Sequence, residues 1–169
     1  MLIDQERNLT KALSFSPYAV VINMPSNDAA NNFTVGDQLR NYRIITEAAT
    51  AAGVLTWVAT PQPRNFTTFS QIQLQRDVRD SILQIYGDQA IEFWDGIAEE
   101  DGHILAAYNA GDGVHLNNAG HAILFERVFA KGIQDIDCLD WVAVDTPPAL
   151  AAKASLSQRF PTQRIAMYR

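Results

Sequence analysis

An aspartate and a histidine stand three residues apart in the segment Gly111-Asp112-Gly113-Val114-His115-Leu116-Asn117-Asn118-Ala119-Gly120-His121. At that spacing in a tight loop both side chains can face one point. Gly111 and Gly113 permit the unusual backbone angles such a loop needs. The Asp112 carboxylate can accept a hydrogen bond from one imidazole nitrogen of His115, which fixes the tautomer and leaves the other nitrogen as a base. A second cluster, Asn23-Met24-Pro25-Ser26-Asn27-Asp28, follows an apolar run. An asparagine amide there can donate to an oxyanion forming on a substrate, a stabilisation of about 3–4 kcal/mol in a transition state.

Both clusters need rigid mounts, and the hydrophobic pattern supplies them. Tyr18–Met24 (YAVVINM) is apolar almost throughout and reads as a strand buried on both faces. Asp4–Leu13 before it reads as a short helix, ended ahead of Pro17. Val35, Leu39, Tyr42, Ile45, Ala49 and Ala52 recur at three- and four-residue steps, an amphipathic helix stopped by Gly53. Val54–Ala59 is a second buried strand, and Pro61, Pro63 and Asn65 mark the loop after it. Leu74, Val78, Ile82 and Ile85 outline the next helix, which Gly87 ends, and Ala90–Trp94 is a third, short strand. Asn118–Ala130 is a last helix, so His115 sits just ahead of a rigid element.

Strands alternating with helices predict an α/β fold with a parallel sheet. Such sheets gather ligands at the carboxyl ends of their strands, where the Ser26–Asp28 loop falls. Three strands are fewer than the roughly five of a doubly wound sheet; Cys138–Val144 could add another. Residues 1–145 are expected to form one domain. Residues 146–169, Ala-, Ser- and Gln-rich after Pro147 and Pro148, read as a tail or linker.

The segments PSND and GDGVHLNNAGH resemble the third and fifth sequence blocks of the SGNH (GDSL-type) hydrolases. Their order agrees as well: a strand, the Asn motif, two helix–strand units, then Asp-x-x-His. Thr60-Pro61-Gln62-Pro63-Arg64 is similar to a loop of some bacterial members, and the resemblance covers roughly residues 8–131. It implies a flavodoxin-like three-layer α/β/α sandwich and hydrolysis of acyl or acetyl esters through an acyl-serine intermediate. It makes His115 the general base, Asp112 its orienting carboxylate and Asn27 an oxyanion donor. Ser26, Asp28 and Arg64 are the candidates for substrate binding. The implied substrate is a small-molecule or carbohydrate ester, and no cofactor is implied.

The family carries its nucleophile in a Gly-Asp-Ser motif ahead of the Asn block. Residues 1–26 contain no glycine, and none of their serines (Ser14, Ser16, Ser26) follows Gly-Asp. Three readings stand: a piece of a larger esterase lacking its N-terminal strand or strands, a non-catalytic relative that keeps the pocket for binding, or a recruited serine such as Ser26. The first leaves an unpaired edge on the Tyr18–Met24 strand, expected to invite homo-oligomerisation or strand exchange.

A formal net charge of -6 argues against nucleic acid or an anionic membrane as the main partner. Cys138 is the one cysteine, so no intrachain disulfide can form and the compartment stays open, a secreted or periplasmic full-length form included. Met1–Thr10 lacks the apolar core of a signal peptide. No apolar run approaches the roughly 20 residues that cross a bilayer. The sequons at Asn8, Asn32 and Asn65 bear on a eukaryotic secretory route alone. His115, His121, Asp112 and Asp28 are suitable atom types for a metal but lack a tight ligand spacing, so no metal is expected. Trp57 and Trp94 read as core, His103 has no evident partner, and Asp77, Arg79 and Asp80 read as a solvated helix face.

Overall fold

The computed structural model describes residues 8–24, 26–136 and 165–168, the last of these as backbone. In chain order its elements are α1 (Asn8–Leu13), β1 (Ala19–Ile22), α2 (Asn27–Ala30), α3 (Val35–Ala51), β2 (Leu55–Ala59), α4 (Phe69–Tyr86), β3 (Ala90–Ile91), α5 (Asn118–Phe129) and β4 (Ile165–Tyr168), with 3-10 turns at Gly87–Gln89 and Ile133–Asp135.

β1 runs parallel to β2, with Ala19 opposite Leu55 and Ile22 opposite Val58. β3 continues from β2, Val58 facing Ala90. On its other side β1 pairs with β4, again in parallel, Ala19 opposite Ile165 and Ile22 opposite Tyr168. The order is therefore β3-β2-β1-β4.

Every residue of β1 and β2 is buried, which is why their sequences show apolar runs rather than alternation. The two faces meet different layers. Ala19, Val21, Leu55, Trp57 and Ala59 pack with Leu116 and Leu124, on the α5 side. Val20, Ile22 and Val58 pack with Leu9, Tyr42, Ile45, Ala49, Val78 and Ile82, from α1, α3 and α4. The expected α/β/α sandwich is thus observed.

Both long helices open on a threonine cap. Thr34 Oγ1 accepts from the Asp37 amide at 3.1 Å, and Thr68 Oγ1 from the Gln71 amide at 3.4 Å. The Thr68 cap starts α4 well ahead of Leu74, where the apolar period begins. The third strand is shorter than its apolar run, because side chains take the next donors. Thr60 Oγ1 accepts from the Phe93 amide at 2.8 Å and Glu92 Oε1 from the Trp94 amide at 2.6 Å, so pairing stops at Ile91. The β1 edge expected to be bare carries β4. Cys138–Val144 lies outside the described residues, as does the 146–169 segment apart from β4.

Candidate functional site

The geometry starts from Asp112. Its Oδ2 lies 2.6 Å from His115 Nδ1. Its Oδ1 accepts from the backbone amides of Val114 and His115, each at 2.8 Å. The His115 contact, backed by those two amides, holds the Asp112 carboxyl well below the usual carboxylate range. The His115 side chain is 72% exposed, so the nitrogen not held by Asp112 is open to solvent and to a reactant. The carboxylate fixes the ring, and Nε2 is left to take up a proton.

Three other side chains keep this loop in shape. Asn109 Oδ1 accepts from the Gly111 amide at 2.7 Å and the Gly113 amide at 3.1 Å. Asn117 caps α5 by accepting from the Gly120 amide at 3.1 Å, while its own amide donates to the Ala107 carbonyl at 2.8 Å. The loop is therefore anchored to the helix that begins directly after it. The third, Asn65, packs against Gly113. Gly113 adopts φ +70°, and a Cβ there would stand 3.0 Å from Asn65 Cβ, so glycine is needed for backbone and for space.

The segment after β2 braces the loop from the other side. The Asn65 amide donates to the Gly113 carbonyl at 2.8 Å, and Gln62 Nε2 to the Val114 carbonyl at 3.2 Å. Asn65 Oδ1 in turn accepts from the Ile104 amide at 2.8 Å. Buried Gln75 of α4 donates to the Gln62 carbonyl at 3.1 Å. Between Gln62 and Asn65 stands Arg64, half-buried, its guanidinium 5.0 Å from the centre of the Phe66 ring.

Arg64 Nη1 reaches Ser26 Oγ at 3.5 Å, the outer limit of a hydrogen bond. Ser26 is buried and leads into α2 at the carboxyl end of β1. That loop is steadied by Tyr42, whose hydroxyl donates to the Met24 carbonyl at 2.9 Å. Asn27 is the first residue of α2 and exposed. Its carbonyl accepts from Asn31, and its side-chain amide makes no hydrogen bond among the described residues. Burial pushes the Asp28 carboxyl up, opposed by a hydrogen bond from Asn41. Asn23 Oδ1 is buried and accepts from no described residue.

Of the residues singled out in the sequence, then, Asp112 meets His115, Ser26 meets Arg64, and the Arg64 segment is tied to the Asp112–His115 loop. Asn27 and Asp28 make no described contact with Asp112 or His115. The histidine at 121 is exposed on α5. His103 does have partners: Nδ1 lies 3.1 Å from Asp101 Oδ2 and Nε2 lies 2.9 Å from the Phe66 carbonyl. Arg79 is not solvated either; it pairs with Asp80, Glu92 and Asp95. Among the described residues no three His, Cys, Asp or Glu side chains converge as metal ligands. A depression of about 500 Å³ between Asn32–Gly36 and the Ser70, Gln71 and Leu74 side of α4 includes none of the candidate residues.

Sequence reasoning picked Arg64 but missed its neighbours Gln62 and Asn65, and also Asn109 and Asn117. Uncharged amides leave no mark in charge or hydrophobic patterns. Their crowding around prolines and glycines was the available signal, because such amides bond to loop backbone in place of a regular ladder.

The parallel α/β/α sandwich is shared with solved structures of GDSL-like hydrolases. A candidate acylhydrolase of Bacteroides fragilis superposes with a TM-score of 0.62 at 20% identity, over 75% of this chain and 68% of that one. A GDSL-like lipase of Bacteroides thetaiotaomicron gives 0.61 at 20% identity, over 71% of this chain and 63% of that one. A candidate platelet activating factor of Streptococcus pneumonia gives 0.54 at 18% identity, over 66% of this chain and 58% of that one. At these identities the likeness establishes the fold, and the chain spans between 58% and 68% of those proteins' lengths. No family model and no curated protein matches the sequence.

Proposed function

We propose that this chain is an SGNH-type hydrolase domain acting on acyl or acetyl esters. The observation that carries the reading is the 2.6 Å Asp112–His115 contact, with the second imidazole nitrogen left open in a braced loop. The names of the structural neighbours, acylhydrolase and GDSL-like lipase, support it. In this reading His115 Nε2 takes the proton of a serine hydroxyl as its oxygen attacks the ester carbonyl. Asp112 holds the ring and stabilises the imidazolium that forms. The Asn27 amide donates to the carbonyl oxygen as it gains charge. His115 then passes the proton to the departing alcohol, and water releases the acyl group by the same steps in turn.

The serine itself is unassigned. None of the described serines, Ser14, Ser16, Ser26, Ser70 and Ser81, hydrogen-bonds to His115. That observation favours one second reading, a module that binds esters at this site without turning them over. Labelling of the full chain with a fluorophosphonate, followed by peptide mapping, separates the two. A labelled serine, with labelling lost in His115→Ala, is expected of a hydrolase. No labelling by a folded chain would reject turnover by this chain and leave binding.

A further inference from the structure

Arg64 has an unusual place among the arginines. Arg40, Arg43 and Arg79 each meet a carboxylate. Arg76 donates to the Glu100 carbonyl, and Arg127 to the Glu92 and Asp95 carbonyls. Among the described residues, Arg64 alone of these meets neither a carboxylate nor a carbonyl. Its contacts are the long one to Ser26 Oγ and the face of Phe66. Most of the five donors of this half-buried guanidinium meet no acceptor among the described residues, which leaves them available to an anion.

Its mount is also rigid. Gln62, two residues before it, is bonded to the Val114 carbonyl and held by Gln75. Asn65, the residue after it, is bonded to the Gly113 carbonyl and the Ile104 amide. The guanidinium is thus rooted in the segment that braces the Asp112–His115 loop and reaches across to the Ser26 loop. Ser26 Oγ accepts from Arg64, which leaves its hydroxyl proton free to donate. A fork of N–H groups beside a hydroxyl fits two oxygens of a carboxylate or a phosphate.

We infer that Arg64, with Ser26, receives an anionic group of the substrate, so that the ester hydrolysed here carries a second, acidic function, a carboxylate or a phosphate. The inference rests on the proposed ester chemistry for the scissile group alone; the anion site is read by binding. The net charge of -6 disfavours an anion at long range. That field is screened beyond about 8 Å at physiological salt, whereas the Arg64 contact acts at hydrogen-bond distance.

The test titrates the full chain with three probes followed by saturation-transfer NMR: an O-acetylated glucuronic acid, the correspondingly acetylated glucose 6-phosphate, and the neutral acetylated glucose. At least one anionic probe should bind about tenfold or more tightly than the neutral one, and the stronger of the two names the anion. The preference should shrink as salt rises. In Arg64→Gln it should fall to near one; Arg64→Lys should keep part of it, and Arg43→Gln all of it. Equal binding of the three probes overturns the inference, as does a preference that survives Arg64→Gln. Intact preference in a chain that hydrolyses none of the probes would count against the hydrolase reading while upholding the anion site.

Discussion

Asp112 divides its two oxygens between two tasks, and the division can be tested. Oδ2 faces His115 Nδ1, while Oδ1 serves the Val114 and His115 amides. In Asp112→Asn the remaining oxygen can still serve those amides, so the loop should keep its shape and the melting temperature should change little. The amide NH2 would then face Nδ1 and force the imidazole proton onto Nε2, where a base must have none. Ester hydrolysis should fall by about 10³–10⁴. A large drop in melting temperature with hydrolysis preserved would reverse the assignment. The same geometry sets a pH dependence. The folded carboxyl is depressed, so its contribution to stability is present above the unfolded value, about 3.9, and is lost as pH falls through the lower folded value. The Asp112 carboxyl carbon should therefore show no protonation step of its own centred near the ordinary value of about 3.9, and such a step would refute the hold. At this scale the Asp–His pair was legible because spacing in a glycine-bearing loop is a strong local constraint. Asn27 was assigned its role by resemblance alone, and its described surroundings add no contact to His115.

Elements were readable where one signal governed them and misread where two competed. The apolar period and the stop at Gly53 gave α3 almost to the residue. Ala90–Trp94 has the composition of a strand, yet Thr60 and Glu92 take the amide donors at Phe93 and Trp94, a tertiary effect invisible in the strand's own sequence. α4 opens at Thr68, where capping decides the boundary and hydrophobic period does not. The Asp112–His115 loop is an element in its own right, held by Asn65, Asn109 and Asn117. Gly113→Ala tests how tightly. A left-handed backbone costs a non-glycine residue about 1–2 kcal/mol, and the new Cβ would press on Asn65 at 3.0 Å. Denaturant unfolding should show at least about 1 kcal/mol of lost stability. The Asn65 amide should also exchange faster, since its bond to Gly113 must shift. A variant as stable as the parent would mean that the Asn65 brace gives way freely.

For the molecule as a whole, the sheet edge is what the sequence described least well. The expected bare edge of β1 is paired with β4, whose residues were read as part of a tail because a four-residue strand far from its neighbours in sequence leaves no periodic trace. The strands β1 to β3 and the helices between them followed from alternating apolar runs; the identity of the fourth strand could follow only from tertiary pairing. In a parallel sheet successive residues of a central strand bond alternately to the left and right neighbours. The Tyr18 carbonyl accepts from the Leu55 amide at 3.1 Å, which assigns Val20 and Ile22 to β2 and leaves Ala19 and Val21 to β4. Removing residues 165–169 should therefore deprotect the Ala19 and Val21 amides in hydrogen exchange while those of Val20 and Ile22 remain slow. The exposed edge should then draw chains together, with sedimentation shifting toward larger species as concentration rises. Uniform loss of protection across β1 would mean that β4 holds up the whole sheet, and unchanged protection would mean that β4 contributes nothing to it.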